Sequence, residues 1–127
     1  DSLYLFGGCT QQPGGPLTDL NDAYRLKSGA RHWESIQSLP RAVRAAGVSA
    51  AGGQIYLFGG HGGDFLDDVY RYDVRENRYS QVSRLPVPLA DTKYVFGDGR
   101  FYGATGEDAA GSRFAGLLIG QLKSKAD

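Results

Sequence analysis

An internal repeat constrains the fold of this sequence more than any other feature. Residues 3–8 (Leu-Tyr-Leu-Phe-Gly-Gly) are nearly repeated at 55–60 (Ile-Tyr-Leu-Phe-Gly-Gly), and residues 21–26 (Asn-Asp-Ala-Tyr-Arg-Leu) at 67–72 (Asp-Asp-Val-Tyr-Arg-Tyr). From Tyr24 onward the two copies are 46 residues apart, and Trp33 matches Tyr79 at that spacing. Repeats of about 20 to 50 residues are typical of solenoids and propellers, so we expect a repeat architecture.

The copies differ from one another at two places. The first copy has six more residues after its double glycine, around Pro13-Gly-Gly-Pro16. A third copy begins 46 residues after the second, at Phe101-Tyr102, and has Thr105-Gly106 in place of the double glycine. The third copy is therefore the most divergent.

Each copy has the composition of β-strands and turns. The run Ile55–Phe58 is rich in aromatic and branched residues and is bounded by glycine pairs on both sides, which is typical of a strand. Gly97-Asp-Gly99 is a strong hairpin signal. We expect no helix, a long loop at Cys9–Thr18, and strands at 2–7, 22–26, 31–36, 45–50, 54–59, 68–73, 78–82, 93–96, 100–103 and 115–122.

The order of these landmarks resembles the kelch repeat: a double glycine after an apolar strand, then Tyr, then Trp or Tyr, then Leu-Pro. The resemblance implies an all-β, galactose oxidase-like fold, in which four-stranded antiparallel sheets form the blades of a β-propeller. The 127 residues make up about 2.75 repeats, whereas propellers have about four to eight blades. We therefore expect a fragment of a larger propeller, divided into a partial blade (1–40), a complete blade (41–86), a partial blade (87–122) and a frayed tail (123–127).

Composition narrows the classes of function. The 14 basic and 14 acidic residues balance, so charge gives no case for nucleic acid or a membrane surface. No apolar run approaches the roughly 18 residues of a membrane span. With one Cys and two His, we expect no disulfide framework, no metal and no cofactor; a copper site of the galactose oxidase type lacks its ligands. An incomplete propeller exposes sheet edges, so we also expect self-association.

Most polar candidates fall on one surface. In an antiparallel blade, the loops from the second to the third strand and the links to the next blade emerge on the same face, and loops on a rigid scaffold usually carry binding groups. We call this surface the loop face; it comprises residues 9–18, 40–44, 61–65, 86–91 and 107–113. Its candidate site residues are Arg41, Arg44, His61, Asp64, Asp91, Glu107, Asp108 and Arg113.

The segment Gly106-Glu-Asp-Ala-Ala-Gly-Ser-Arg113 resembles the catalytic loop of the N-acetylneuraminate epimerases (sialic acid mutarotases), which are kelch propellers. In that family an Arg follows six residues after the Glu of a Gly-Glu pair. The resemblance implies an isomerase in carbohydrate metabolism, periplasmic or secreted, that needs no cofactor. Arg113 would hold the carboxylate of a sugar acid, and Glu107 would take the anomeric proton.

Several alternatives remain open on sequence grounds. The chain is equally compatible with a non-catalytic kelch module that binds a protein partner through the loop face. Glu107 and Arg113 would then merely pair across their loop, a contact worth about 0–1 kcal/mol. Asp67-Asp68 is interpreted as turn chemistry. The recurring aromatic residues are interpreted as packing between blades: Tyr4, Tyr24, Trp33, Tyr56, Tyr70, Tyr79 and Tyr102.

Overall fold

The computed structural model describes residues 1–123, which contain β-strands and turns but no helix. The all-β prediction is confirmed. The predicted tail is described only at Lys123; the rest of it lies outside the described residues. The strands are β1 (Ser2–Phe6), β2 (Cys9–Gln11), β3 (Leu17–Asp19), β4 (Ala23–Lys27), β5 (Glu34–Ser35), β6 (Gly47–Ala51), β7 (Gln54–His61), β8 (Phe65–Asp73), β9 (Arg78–Arg84), β10 (Lys93–Gly97), β11 (Arg100–Ala104), β12 (Glu107–Ala109), β13 (Ser112–Arg113) and β14 (Leu117–Gln121).

Three antiparallel sheets follow one another along the chain. The first blade has the strand order β1-β4-β5, the middle blade β6-β7-β8-β9, and the third blade β10-β11-β14. Equivalent strands pair in the same register. Leu5 lies opposite Tyr24 in the first blade, and Leu57 lies opposite Tyr70 in the middle blade. The middle blade is thus the one with four strands in the described chain.

Two predicted segments differ from the structure. The expected loop at Cys9–Thr18 is largely a hairpin, in which β2 pairs with β3 from Cys9 opposite Asp19 to Gln11 opposite Leu17. The expected strand at 31–36 is reduced to β5, whose two residues pair with Tyr24 and Arg25. Residues 31–33 are exposed, so no neighbouring sheet holds them in an extended conformation.

The hydrophobic core consists of two layers between blades. Ile55 and Leu57 of the middle blade point toward the first blade, where they join Tyr72 and pack with Tyr4 and Phe6. Because side chains alternate along a strand, the neighbouring residues of β7 point the other way. Tyr56 and Phe58 accordingly pack against Tyr94 and Phe101 of the third blade.

Six of the seven recurring aromatic residues are at least partly buried, but Trp33 is 43% exposed. The interpretation of Trp33 as packing between blades is therefore wrong for the described chain. Its counterpart Tyr79 lies 5.0 Å from Tyr72 and 6.4 Å from Phe6 of the preceding blade, measured between ring centroids. Trp33 is exposed because residues 1–123 contain no blade on the corresponding side.

No helix within residues 1–123 is long and apolar enough to cross a membrane.

Candidate functional site

The loop face is assembled by backbone hydrogen bonds that repeat from blade to blade. The amide of Gly8 donates to the Val43 carbonyl, and the amide of Gly60 donates to the Leu89 carbonyl, both at 2.8 Å. Each link between blades is thus fastened to the end of a neighbouring second strand. Isolated antiparallel β-bridges also join Arg44 to His61 and Ala90 to Glu107. The segments predicted to share one face therefore do lie together.

Three equivalent residue pairs stand at the base of the hairpins on this face. Cys9 lies opposite Asp19, His61 opposite Phe65, and Glu107 opposite Arg113. Glu107 follows His61 by the repeat spacing of 46 residues. The candidate catalytic pair thus occupies a position that every blade fills with a different pair of side chains. Cys9 is a free, exposed thiol.

The most buried polar cluster on the loop face joins Arg44, Asp19 and His61. The Arg44 guanidinium donates to Asp19 Oδ1 at 2.6 Å, and the two side chains are 28% and 14% exposed. His61 Nδ1 lies 3.9 Å from Asp19 Oδ2 and has no hydrogen-bond partner within residues 1–123. Sequence reasoning missed Asp19, because the hairpin that carries it was predicted as a loop ending at Thr18.

A second polar cluster surrounds the start of β8. Arg41 Nη1 lies 3.0 Å from Asp68 Oδ2, and Arg84 Nη1 lies 2.7 Å from Asp67 Oδ1. Asp68 also accepts a hydrogen bond from Gln81 Nε2 at 3.2 Å. The interpretation of Asp67-Asp68 as turn chemistry is therefore wrong: both residues lie inside a strand and pair with arginines of neighbouring segments.

Asp64 and Asp91 shape turns of the loop face. Asp64 Oδ1 accepts the amide of Phe65 at 2.8 Å. Asp91 is exposed, has a φ of 58°, and donates its amide to the Ala45 carbonyl at 2.9 Å. Both carboxylates are close to solvent and within reach of a bound molecule.

Glu107 and Arg113 face each other across the β12–β13 hairpin, but their side chains form no ion pair in the part of the chain that the structure describes. Glu107 Oε1 instead accepts the amide of Gly111 at 3.3 Å, and Arg113 is exposed. The Oδ1 atom of the neighbouring Asp108 is buried without a hydrogen-bond partner among residues 1–123. The grooves of about 480 and 580 Å³ are lined by other residues.

Within residues 1–123, no group of three or more His, Cys, Asp or Glu side chains is placed to hold a metal ion.

Comparison with known proteins places the repeat in a recognised class. The family model of the Kelch motif matches residues 42–86. Kelch-like protein 35 of Mus musculus is 37% identical over 91 residues, which is 64% of this chain and 16% of that protein. Kelch-like protein 26 of Mus musculus is 28% identical over 123 residues, or 87% of this chain and 19% of that protein. The chain thus spans less than a fifth of these curated relatives.

A solved structure supports the fold. The structure of YjhT matches with a TM-score of 0.83 at 16% sequence identity, over 95% of this chain and 46% of that chain. The Kelch motif, the kelch-like relatives and this structural match agree with the three blades described above. The prediction is confirmed: this chain carries kelch repeats folded as β-propeller blades.

Proposed function

We propose that this chain is a non-catalytic kelch module that binds a protein partner through its loop face. One observation carries the proposal: the polar side chains of the loop face hold one another in place around exposed hairpins. Arg44 is engaged by Asp19, Arg41 by Asp68, and Glu107 by a backbone amide. These three side chains of the described face are held in place, while Arg113 and Asp91 remain exposed on it.

The rigidity of this surface suits protein recognition. Its loops are fastened by backbone hydrogen bonds to the sheets, so little conformational entropy is lost when a partner binds. Arg113 and Asp91 are exposed on it. Exposed charges of both signs favour a partner with a complementary pattern, and arginine is enriched in protein interfaces.

The curated relatives support the part of this proposal that describes the chain as a kelch module. The two curated proteins named above are kelch-like proteins, whereas the YjhT structure is too distant in sequence to inform on more than the fold. Because this chain spans less than a fifth of those relatives, its partner is proposed from its own surface chemistry.

The proposal is tested by selecting binders of the 127-residue chain from a displayed library of protein fragments and measuring their affinity for two variants. Arg113→Ala removes an exposed charge of the loop face. Arg75→Ala removes an exposed charge from the turn between β8 and β9, on the opposite face. We expect most binders to lose tenfold or more in affinity, about 1.4 kcal/mol, with Arg113→Ala and little with Arg75→Ala. The reverse pattern, or equal losses, would contradict the proposal.

A second candidate function is anomer exchange of a sialic acid. The observation in its favour is the β12–β13 register, which sets Glu107 opposite Arg113, because residues directly opposite in an antiparallel pair present their side chains on the same face. Arg113 would hold the sugar carboxylate while Glu107 takes the proton of the anomeric hydroxyl and water protonates the ring oxygen, so that the bond between this oxygen and the anomeric carbon breaks. The open chain would rotate about the bond beside its new ketone and reclose as the other anomer, with Glu107 returning its proton to the anomeric oxygen and water taking back the proton of the ring oxygen. The sequence differs from that of the N-acetylneuraminate epimerases at Phe114-Ala115, where that family has Thr-Asp.

This second candidate has a direct test with N-acetylneuraminate. NMR exchange spectroscopy measures the rate at which the α and β anomers interconvert with and without the chain. Acceleration that is lost in Glu107→Gln and retained in Arg75→Ala would establish the activity and displace the non-catalytic proposal. A rate equal to that in buffer would exclude it for this chain.

A further inference from the structure

Three polar side chains form a cluster where the β2–β3 hairpin meets the middle blade. Asp19, at the end of β3, forms an ion pair at 2.6 Å with Arg44, in the link between the two blades. His61, at the end of β7, lies beside this pair, with its Nδ1 atom 3.9 Å from Asp19 Oδ2. One oxygen of the carboxylate is therefore paired with a cation, and the other lies near an imidazole nitrogen without being bonded to it.

The imidazole of His61 is held in place, although one of its nitrogens has no partner. The backbone of His61 exchanges two hydrogen bonds with that of Arg44, at 2.8 and 2.9 Å. The Phe65 ring meets the imidazole edge-on, with 5.1 Å between the ring centroids. Nδ1 is buried and has no hydrogen-bond partner within residues 1–123. Since 3.9 Å is too long for a hydrogen bond to Asp19, this nitrogen is both shielded from solvent and unpaired.

The next interface along the chain shows that the fold does not require this cluster. One repeat later, Ala90 replaces Arg44 and Glu107 replaces His61, and these two residues form the same isolated backbone bridge. The residue in the place of Asp19 is Phe65. The same arrangement of hairpin and link therefore forms without an ion pair and without a histidine. Packing of the blades does not explain why the first interface carries both.

The hairpin that carries Asp19 has few other attachments. β2 is exposed throughout, and Asp19 is the half-buried residue of β3. Backbone hydrogen bonds of Gly8 and Leu20 fasten its base to the link. Among the described residues, Asp19 makes the ion pair between the side chains of this hairpin and the middle blade. The position of the hairpin therefore depends on what the Asp19 carboxylate contacts.

A proton on His61 would change this contact. Histidine is the side chain whose charge ordinarily changes between about pH 5 and 8. An imidazolium with a shielded N–H needs an acceptor, because an unpaired buried charge is costly, and Asp19 Oδ2 is 3.9 Å away. Charge-assisted N–H···O hydrogen bonds are about 2.7–2.9 Å long, so the two groups would approach by about 1 Å.

The other charged and titratable groups around His61 act in both directions. The Arg44 guanidinium is a like charge that opposes protonation, but it is already paired with Asp19. Asp64, on the same hairpin as His61, is an exposed carboxylate that favours protonation weakly. The Cys9 thiol lies on β2 opposite Asp19 and is exposed. Aspartate is ordinarily ionised throughout the pH range in which histidine changes charge, so the acceptor remains available.

We propose that Asp19, Arg44 and His61 form a pH-sensitive latch, which draws the β2–β3 hairpin onto the middle blade when His61 is protonated. The second contact with Asp19 is present at the acidic end of the range from about pH 5 to 8 and is lost as the pH rises. Because this hairpin is part of the loop face, the latch makes the shape of that face depend on pH. The inference holds whether or not the loop face binds a protein.

The test follows the 127-residue chain by NMR between pH 8 and pH 5. We expect the amide signals of residues 9–11 and 17–19 to shift in one transition, at the same pH as the ring protons of His61. Amide hydrogen exchange is divided by the intrinsic rate at each pH. The corrected rate should be about threefold or more slower in β2 and β3 at pH 5.5 than at pH 7.5, and unchanged in β8.

The two histidines of the chain provide a matched pair of variants. His61→Asn removes the titrating group of the latch, whereas His32→Asn removes an exposed histidine of the first blade. We expect the transition of the hairpin amides to disappear in the first variant and to remain in the second. In Asp19→Asn the ring protons of His61 should still titrate, while the hairpin amides should no longer follow them.

Three results would overturn the proposal. They are hairpin signals that stay constant while the His61 ring titrates, a hairpin transition that survives His61→Asn, and corrected exchange that becomes faster at acidic pH. If the amide spectrum shows that His61→Asn does not fold, the unaltered chain and Asp19→Asn still decide. Separate transitions of hairpin and ring in the unaltered chain, or a hairpin transition retained in Asp19→Asn, would then contradict the latch.

Discussion

Gly59 occupies a position where both the backbone and the surrounding atoms exclude a side chain. Its φ is 55°, and a Cβ there would lie 2.3 Å from the Leu89 carbonyl oxygen. In the first blade, a Cβ on Gly7 would lie 2.2 Å from the Val43 carbonyl oxygen. The double glycine recurs because, in both blades, the link to the next blade crosses directly over it.

The first prediction concerns this close approach. Gly59→Ala combines a left-handed backbone with a clash against main-chain atoms, so we expect a loss of about 3 kcal/mol or more in the free energy of unfolding. Gly53→Ala is the matched control, since Gly53 has a φ of 75° but nothing within 4 Å of an added Cβ. Its loss should be about 1 kcal/mol. Urea denaturation measures both, and equal losses would refute the role of the crossing link.

A second prediction at this scale concerns Tyr94. Burial raises the pKa of Tyr94 to about 12, while a tyrosine in the unfolded chain has a pKa of about 10. The unfolded state therefore loses this proton first, so the contribution of Tyr94 to stability is constant below about pH 10 and falls between about pH 10 and 12. Tyr94→Phe should remove part of this alkaline loss in urea titrations. An unchanged pH profile would contradict the assignment.

Sequence reasoning identified residues better than it identified their partners. The loop-face membership of Arg44, His61 and Glu107 follows from repeat spacing, because equivalent positions in a repeat occupy equivalent places. The pairing of Arg44 with Asp19 could not be predicted, because six additional residues around Pro13 obscure the alignment of Asp19 with Phe65. The engagement of Glu107 by the Gly111 amide depends on hairpin geometry that sequence spacing does not specify.

The strands of the middle blade and the β2–β3 hairpin of the loop face differ most in how deeply their residues are buried. Six of the eight residues of β7 are buried, and Gln54 and His61 at its two ends are half-buried. β2 is exposed throughout. Strand position was predictable from apolar runs and glycine pairs, whereas the β2–β3 pairing was not, because its Gln, Thr and Pro residues carry no apolar alternation. We therefore expect the β2–β3 hairpin to open locally more easily than the middle blade.

The third prediction concerns the β2–β3 hairpin, which the partly buried ion pair between Asp19 and Arg44 anchors to the middle blade. Arg44→Ala leaves the mostly buried carboxylate without its cation. We expect amide hydrogen exchange in β2 and β3 to accelerate about tenfold, while exchange in β8 changes little. Lys27→Ala, which removes an exposed contact with Glu34, is the control. Equal acceleration in both variants would argue against an anchoring role.

On the scale of the whole molecule, the two outer blades present apolar surfaces that the inner interfaces bury. Leu3 and Leu5 are 63% and 53% exposed, whereas their counterparts Ile55 and Leu57 are 7% and 3% exposed. On the third blade, Val95 and Ile119 are 65% and 59% exposed. Large exposed apolar patches mark interaction surfaces or promote association.

The fourth prediction follows from these surfaces. We expect the 127-residue chain to associate as its concentration rises, and Leu5→Lys and Val95→Lys each to weaken that association. Because both side chains are exposed, each variant should change the free energy of unfolding by about 0.5 kcal/mol or less. Sedimentation velocity measures the association, and a chain that stays monomeric at every concentration would disprove it.

A protein partner that binds the loop face leaves a footprint there, which can be located with a selected partner. Amide hydrogen exchange of the chain is measured with and without that partner. We expect protection concentrated in residues 9–19, 61–65 and 107–113. Protection concentrated instead at residues 52–53, 75–77 and 97–99, the turns of the opposite face, would contradict it.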